Sequence, residues 1–160
     1  MSLPEQQNIF MRRAIALSRQ KMEENCGGPF GAVIVKGGIV IGEGWNKVTS
    51  SCDPTAHAEV TAIRAACQTV GDFSLKGCEI YTSCEPCPMC LAAIYWARLE
   101  RIYYANTRKD AAAIGFDDDF LYREINLPEA ARTLPISRTL PAEAKLVFDD
   151  WLKKTDKIHY

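Results

Sequence analysis

Glu79-Ile80-Tyr81-Thr82-Ser83-Cys84-Glu85-Pro86-Cys87-Pro88-Met89-Cys90 reads as a short strand over Glu79 to Thr82 running into a proline-marked loop. A helix is expected from about Pro88 to Ala97, which puts Cys87 and Cys90 near its start. Arg101-Ile102-Tyr103-Tyr104-Ala105 follows as a second strand. Strand, helix, strand implies a right-handed crossover and parallel neighbours. The loop then lies at the carboxyl end of a strand, where open α/β sheets bind ligands. A second loop of this kind precedes it, Pro54-Thr55-Ala56-His57-Ala58-Glu59. Asp53 can cap a helix and Pro54 suits its first position, so a helix is expected from there to about Val70. His57 and Glu59 then fall in its first turns, with Val60, Ile63, Ala66 and Cys67 as the buried stripe. The positive end of that helix dipole suits thiolates and a carboxylate nearby.

The spacing is His-x-Glu followed by Pro-Cys-x-x-Cys. One imidazole and two thiolates supply three protein ligands, and a catalytic zinc keeps a fourth position for water. Two thiolates and a neutral imidazole leave Zn2+ formally uncharged. Such a site acidifies its bound water less than an all-His site, so a nearby base helps remove the proton and leave the bound hydroxide. Glu59, two residues after His57, is a group of the right type there. The pattern is recognised as the signature of the zinc nucleobase deaminases. A redox pair would need no His-x-Glu, and a structural zinc module would need a fourth protein ligand. The only other histidine, His159, stands almost at the C-terminus, and Cys84 sits too close to Cys87 to be an obvious fourth ligand. Cys26, Cys52, Cys67, Cys78 and Cys84 read as small buried or half-buried hydrophobes, Cys84 being the one best placed to line a site.

The remaining elements frame these two loops. Ser2-x-x-Glu5 forms a capping box for a helix from about Pro4 to Glu24, with Phe10, Ala14, Leu17 and Met22 at helical spacing. Ala32-Val33-Ile34-Val35 and Ile39-Val40-Ile41 form a hairpin across Gly37-Gly38, and the second strand runs out to Trp45-Asn46. Beyond Asn106 a short helix is expected over Lys109 to Ile114 and a polar turn at Asp117 to Asp119. Leu134 to Thr139 reads as a short strand or an arm, and Pro141 opens a last helix.

A chain of 160 residues is the size of one domain. Its formal net charge of -1 and pI of about 6.1 lack the basic surplus of proteins that grip a polynucleotide, which favours a small free substrate over a nucleic acid. No run approaches the roughly 20 apolar residues of a membrane span. Met1 to Glu5 has no basic n-region, so no signal peptide is expected. Seven cysteines without an export signal suggest metal and reduced thiols in a cytoplasmic protein.

Gly28 to Val35, Asp53 to Val60, and Ser83 to Arg98 resemble the bacterial guanine deaminases of the cytidine-deaminase-like type. Ile114-Gly115-Phe116-Asp117-Asp118 and the terminal Tyr160 extend the likeness, which thins from Arg123 to Lys157. The resemblance implies a three-layer α/β/α fold with a central mixed sheet. It implies one Zn2+ per subunit on His57, Cys87 and Cys90, with Glu59 shuttling protons. It implies that Phe30 packs on a purine base, Asn46 hydrogen-bonds it, Asp118 meets its donor edge, and Ala58 and Trp96 complete the pocket. It further implies a homodimer in which the tail from about residue 123 is exchanged, so that Tyr160 closes the partner's site. Guanosine deaminase and tRNA adenosine deaminase share part of the motif set. The tail mixes Glu143, Lys145, Asp149, Asp150, Lys153 and Lys154, which does not favour RNA.

Overall fold

The structure is a computed structural model and describes residues 3–159. The chain divides into two compact units, Met1–Tyr122 and Arg123–Tyr160. The first unit opens with α1 (Leu3–Glu23). Ser2, the expected cap, lies outside the described residues. Phe10, Ala14 and Leu17 are buried as their spacing requires, but Met22, one residue from the end, is 43% exposed.

Strands β1 (Gly31–Lys36) and β2 (Ile39–Trp45) form the hairpin, and Gly37 and Gly38 take the positive φ values its tight turn demands. β3 (Cys78–Cys84), α4 (Pro88–Trp96) and β4 (Arg101–Asn106) form the crossover. The sheet order is β2-β1-β3-β4, with β1 antiparallel to both neighbours and β3 parallel to β4. Side chains alternate across it. Ala32 and Ile34 face a core shared with α3 (Ala58–Val70) and α4, while Val33 and Val35 join Phe10, Leu17 and Tyr81 beneath α1. The result is the expected α/β/α sandwich around a mixed sheet.

Two local expectations are corrected. The helix expected to start at Asp53-Pro54 starts at Ala58. Asp53 Oδ1 instead accepts from the Thr55 N–H (2.8 Å) and hydroxyl (2.7 Å), a local turn that competes with capping. A four-residue helix, α2 (Val48–Ser51), fills part of the loop before it. The Asp117 to Asp119 run is not a free turn. Asp117 Oδ1 accepts from the Phe120 N–H (3.0 Å) at the start of α6 (Asp118–Asn126), where acidic groups suit the helix dipole. α5 (Arg108–Ala113) begins with a capping box between Thr107 and Asp110.

The stripe that buries α3 is Ala58, Ala62 and Ala66, all at 0% exposure, with Ile63 and Cys67 half-buried beside it. Small residues there meet small residues on β2. A Cβ on Gly44 would stand 2.1 Å from the Ala58 carbonyl oxygen and 2.3 Å from the Ala62 nitrogen. Gly44→Ala should therefore lower stability by about 3 kcal/mol or prevent folding, because helix and strand backbones must part. Thermal unfolding measures this. A variant as stable as the parent would refute the contact.

In the second unit, Thr133 donates through N–H (2.8 Å) and hydroxyl (3.0 Å) to Glu124, and Arg132 Nε donates to the Leu127 carbonyl (3.1 Å). Leu134 to Thr139 form no strand, in keeping with the ladder donor that Pro135 lacks. α7 (Pro141–Lys153) has no buried residue. Among the described residues, no helix is long and apolar enough to cross a membrane.

Candidate active site

Both motif loops deliver their residues at helix starts. His57 is the N-cap of α3 and Cys87 the N-cap of α4, each in extended geometry (ψ 160 and 167) and neither spending its side chain on the cap. Pro88 at the first position of α4 fixes the entry of that helix. Cys90 follows one turn on. β2 and β3 run in the same direction, since β1 is antiparallel to both, so the two helix starts meet at one end of the sheet. Two positive dipole ends thus face the same point, which favours the negative charges gathered there.

His57 Nδ1 lies 3.6 Å from Cys87 Sγ and 3.5 Å from Cys90 Sγ, and the three donor atoms fall within 4.8 Å of one another. Zinc bonds of about 2.3 Å to sulfur and 2.0–2.1 Å to nitrogen at a tetrahedral angle place those donors about 3.6 Å apart. The residues present therefore fit a zinc ion. Between the protein groups alone, the Cys90 hydrogen bond and then His57 pull the Cys87 thiol down, while Cys90, as the donor of that bond, is pushed up. The bond to Cys87 also raises the His57 pKa. A divalent cation on these donors would ionise both thiols.

Glu59 is 6% exposed, and its Oε1 accepts from the Thr82 hydroxyl at 3.2 Å. Burial pushes its carboxyl upward, with its own backbone N–H opposing. An upward shift favours the protonated form, the direction that suits a carboxyl that must take up a proton.

A cavity of about 320 Å³ opens over these groups. Phe30 forms one wall and meets Phe116 edge-on at 4.8 Å between centroids and 90° between planes. Asn46 is 6% exposed, and its Oδ1 accepts from the Gly28 and Val48 N–H groups, both at 3.2 Å. With the oxygen committed to two donors, the side chain can offer the cavity only its amide N–H groups. Asp118 also lines the cavity, and burial, then the Cys87 charge, raise its pKa. The site thus presents one donor edge and one acceptor edge.

The structure brings His57, Glu59, Cys87, Phe30, Asn46 and Asp118 to one cavity, with Cys90 at the metal donors. It does not bring Ala58 or Trp96 to that surface. Ala58 is fully buried against β2, and Trp96, the last residue of α4, is 63% exposed. Tyr160 lies outside the described residues. Sequence reasoning did not single out Phe116 or Thr82. Phe116 stands in the Gly-Phe-Asp-Asp block already noted, so its signal was present. Thr82 reaches Glu59 only through the pairing of distant elements.

Cys84 is 4% exposed on the same cavity, and its Sγ donates to the Thr107 carbonyl at 3.6 Å. Burial, then Asp118 and Glu59, push its pKa from 9.0 up to about 12, so the thiol stays neutral. The folded form then holds a proton that the unfolded form loses, and stability should fall as pH rises from 9 toward 12. Cys84→Ser should make that alkaline fall shallower in denaturant melts. An unchanged slope would refute the assignment.

The model of the cytidine and deoxycytidylate deaminase zinc-binding region matches residues 4–106. A guanine deaminase from Bacillus subtilis (strain 168) is 52% identical over 94% of this chain and 97% of its own. The X-ray structure of guanine deaminase from Bacillus subtilis matches with a TM-score of 0.94 and 49% identity, over 100% of this chain and 99% of that one. A tRNA-specific adenosine deaminase from Agrobacterium fabrum is 43% identical over 59% of this chain and 62% of its own. The helix-capped His57, Cys87 and Cys90 donors and the buried Glu59 lie within the matched region, and the likeness to the Bacillus proteins continues through the tail. The chain belongs to the cytidine and deoxycytidylate deaminase zinc-binding family, on the branch of the bacterial guanine deaminases.

Proposed function

We propose that this protein hydrolyses guanine to xanthine and ammonia. The observation that carries the reading is Glu59, a buried carboxyl beside three zinc-type donors in a cavity with a donor at Asn46 and an acceptor at Asp118. The near-full-length likeness to guanine deaminases supports it. His57, Cys87 and Cys90 would hold one zinc ion per subunit, which supplies an acidified water and Lewis acidity when bound.

The chain's own residues do the rest. Glu59 accepts one proton from the attacking water and passes it to a ring nitrogen, then carries the second, from the new C2 hydroxyl, to the leaving amine. Water oxygen bonds to C2, the C2–N bond to the exocyclic amine breaks, and ammonia leaves. Phe30 packs on the purine, with Phe116 buttressing its ring. Asn46 donates to a ring acceptor and Asp118 accepts from ring N–H groups. A site with a committed donor and acceptor rejects analogues that lack the matching groups by large factors.

The resemblance assigns further contacts to Ala58, Trp96 and Tyr160. The second unit exposes Leu134 (76%), Leu146 (62%), Phe148 (74%) and Leu152 (71%). So much apolar surface on one short segment is the mark of an interface. We assign it to a second copy, in a homodimer that exchanges the tail and brings Tyr160 to the partner's cavity. The cytoplasm, which keeps thiolate ligands reduced, is the fitting compartment.

The test is ammonia release from guanine, guanosine, adenosine and cytosine in parallel, with a chelated sample as control. Turnover of guanine that vanishes on chelation is expected. Turnover of guanosine but not guanine would overturn the substrate assignment, and silence on all four would overturn the reading.

A further inference from the structure

The cavity wall that carries Phe116 and Asp118 is thinly supported by burial. Gly115 takes a φ of +94, Ile114 is 59% exposed and Phe116 is 37% exposed, yet this segment leads straight into Asp118. Backbone hydrogen bonds tie it to α5 and Phe116 meets Phe30, and a further set of polar links joins it to the loop that carries Cys87. Tyr122, on the same face of α6 as Asp118, donates its hydroxyl to the Pro86 carbonyl at 2.8 Å. Pro86 is the neighbour of Cys87. Arg108 joins both sides from α5. Its backbone N–H donates to Glu85 Oε2 at 2.9 Å, its Nε lies 3.9 Å from Glu85 Oε1 and 3.9 Å from Asp119 Oδ1, and its guanidinium stands 4.7 Å from the centroid of the Tyr122 ring.

Magnitudes rank these links. Ion pairs at 3.9 Å between half-exposed side chains are worth little. A well-formed hydroxyl–carbonyl bond with a guanidinium over the tyrosine ring is worth more. The weight therefore falls on Tyr122, with Arg108 holding its ring in place.

We propose that Tyr122 and Arg108 are positioning residues that set the distance between Asp118 and the Cys87 loop, so that the base-binding wall and the metal donors stay in register. The kinetic arm of the test rests on the guanine reading. Neither residue touches the substrate. Their effect should fall on substrate binding, through Asp118, and not on metal retention.

Tyr122→Phe removes the hydroxyl and keeps the ring. Zinc content and kcat are expected to stay at the parent values, while KM for guanine rises about fivefold, the scale of one lost hydrogen bond. Asp118→Asn should raise KM further, and adding Tyr122→Phe to it should have no additional effect, because both act through one carboxylate. Arg108→Gln should move KM in the same direction. An unchanged KM, or KM effects that multiply fully in the double variant, would overturn the proposal. Hydrogen exchange gives a readout independent of turnover. Amides over residues 84–92 and 115–122 should exchange faster in Tyr122→Phe than in the parent. A parent silent on guanine would refute the substrate reading, and the exchange result would then decide the tether alone: unchanged rates in both segments would overturn it.

Discussion

Glu59→Gln should retain its zinc and lose turnover, with kcat falling about a thousandfold, the middle of the range for general acid–base groups. Glutamine preserves the shape of the side chain and can still accept from the Thr82 hydroxyl, so the pocket should keep its form. What disappears is the capacity to take and return a proton. The same change should leave the fold at least as stable at pH 7. Burial raises the Glu59 pKa above its ordinary 4.5, so its favourable contribution to folding is complete only below that value and is lost as pH rises through the folded pKa. A side chain that does not titrate escapes that loss. Activity loss with equal or better stability is the usual trade at a catalytic carboxyl. Ammonia release, elemental analysis and thermal melts check the three parts. A variant with substantial turnover would remove Glu59 from the proton path.

Cys87→Ala should have the second large effect, on metal and stability together. The remaining donors, His57 and Cys90, make an incomplete zinc site, so the purified variant should carry almost no zinc after dialysis and show no measurable deamination. Binding that favours the folded state stabilises it by mass action, about 4 kcal/mol when free zinc exceeds its Kd a thousandfold. The parent should therefore melt at a lower temperature once chelator is added, while the variant should melt at one temperature with or without it. A fully loaded, active variant would sink the ligand assignment.

The parts of this molecule that could be read from the chain are those written in local patterns. The hairpin over Ala32 to Ile41 and the crossover from Glu79 to Ala105 announced themselves through β-branched runs, glycine turns and prolines, and the sheet has the expected pairing. Gathering His57, Cys87 and Cys90 needed only the i, i+3 spacing and the placing of both loops at strand ends. The misreadings share a cause. Asp53 and the Asp117 to Asp119 run contain residues that suit caps and turns equally, and tertiary context chose between them. The spacing of Val60, Ile63, Ala66 and Cys67 shares only Ala66 with the fully buried face of α3, where the strand pressed against it selects Ala58, Ala62 and Ala66. Thr82 at Glu59, and Phe116 against Phe30, are contacts between elements far apart in sequence, which no local pattern encodes.

The seam of glycine and alanine between β2 and α3 also bears on the order in which the molecule assembles. Gly44 meets Ala58 and Gly42 meets Ala62 and Ala66 across short separations in the chain, so the hairpin and α3 can dock early with little loop-closure entropy. That step already sets His57 beside Glu59. β3 must close a much longer loop to pair Thr82 with Ala32, and Cys87 and Cys90 arrive only with it. By that ordering, the imidazole and carboxylate half of the site is expected to form first, and the thiolate half when the sheet closes. Zinc, which needs Cys87 and Cys90, is therefore expected to bind only after β3 has paired.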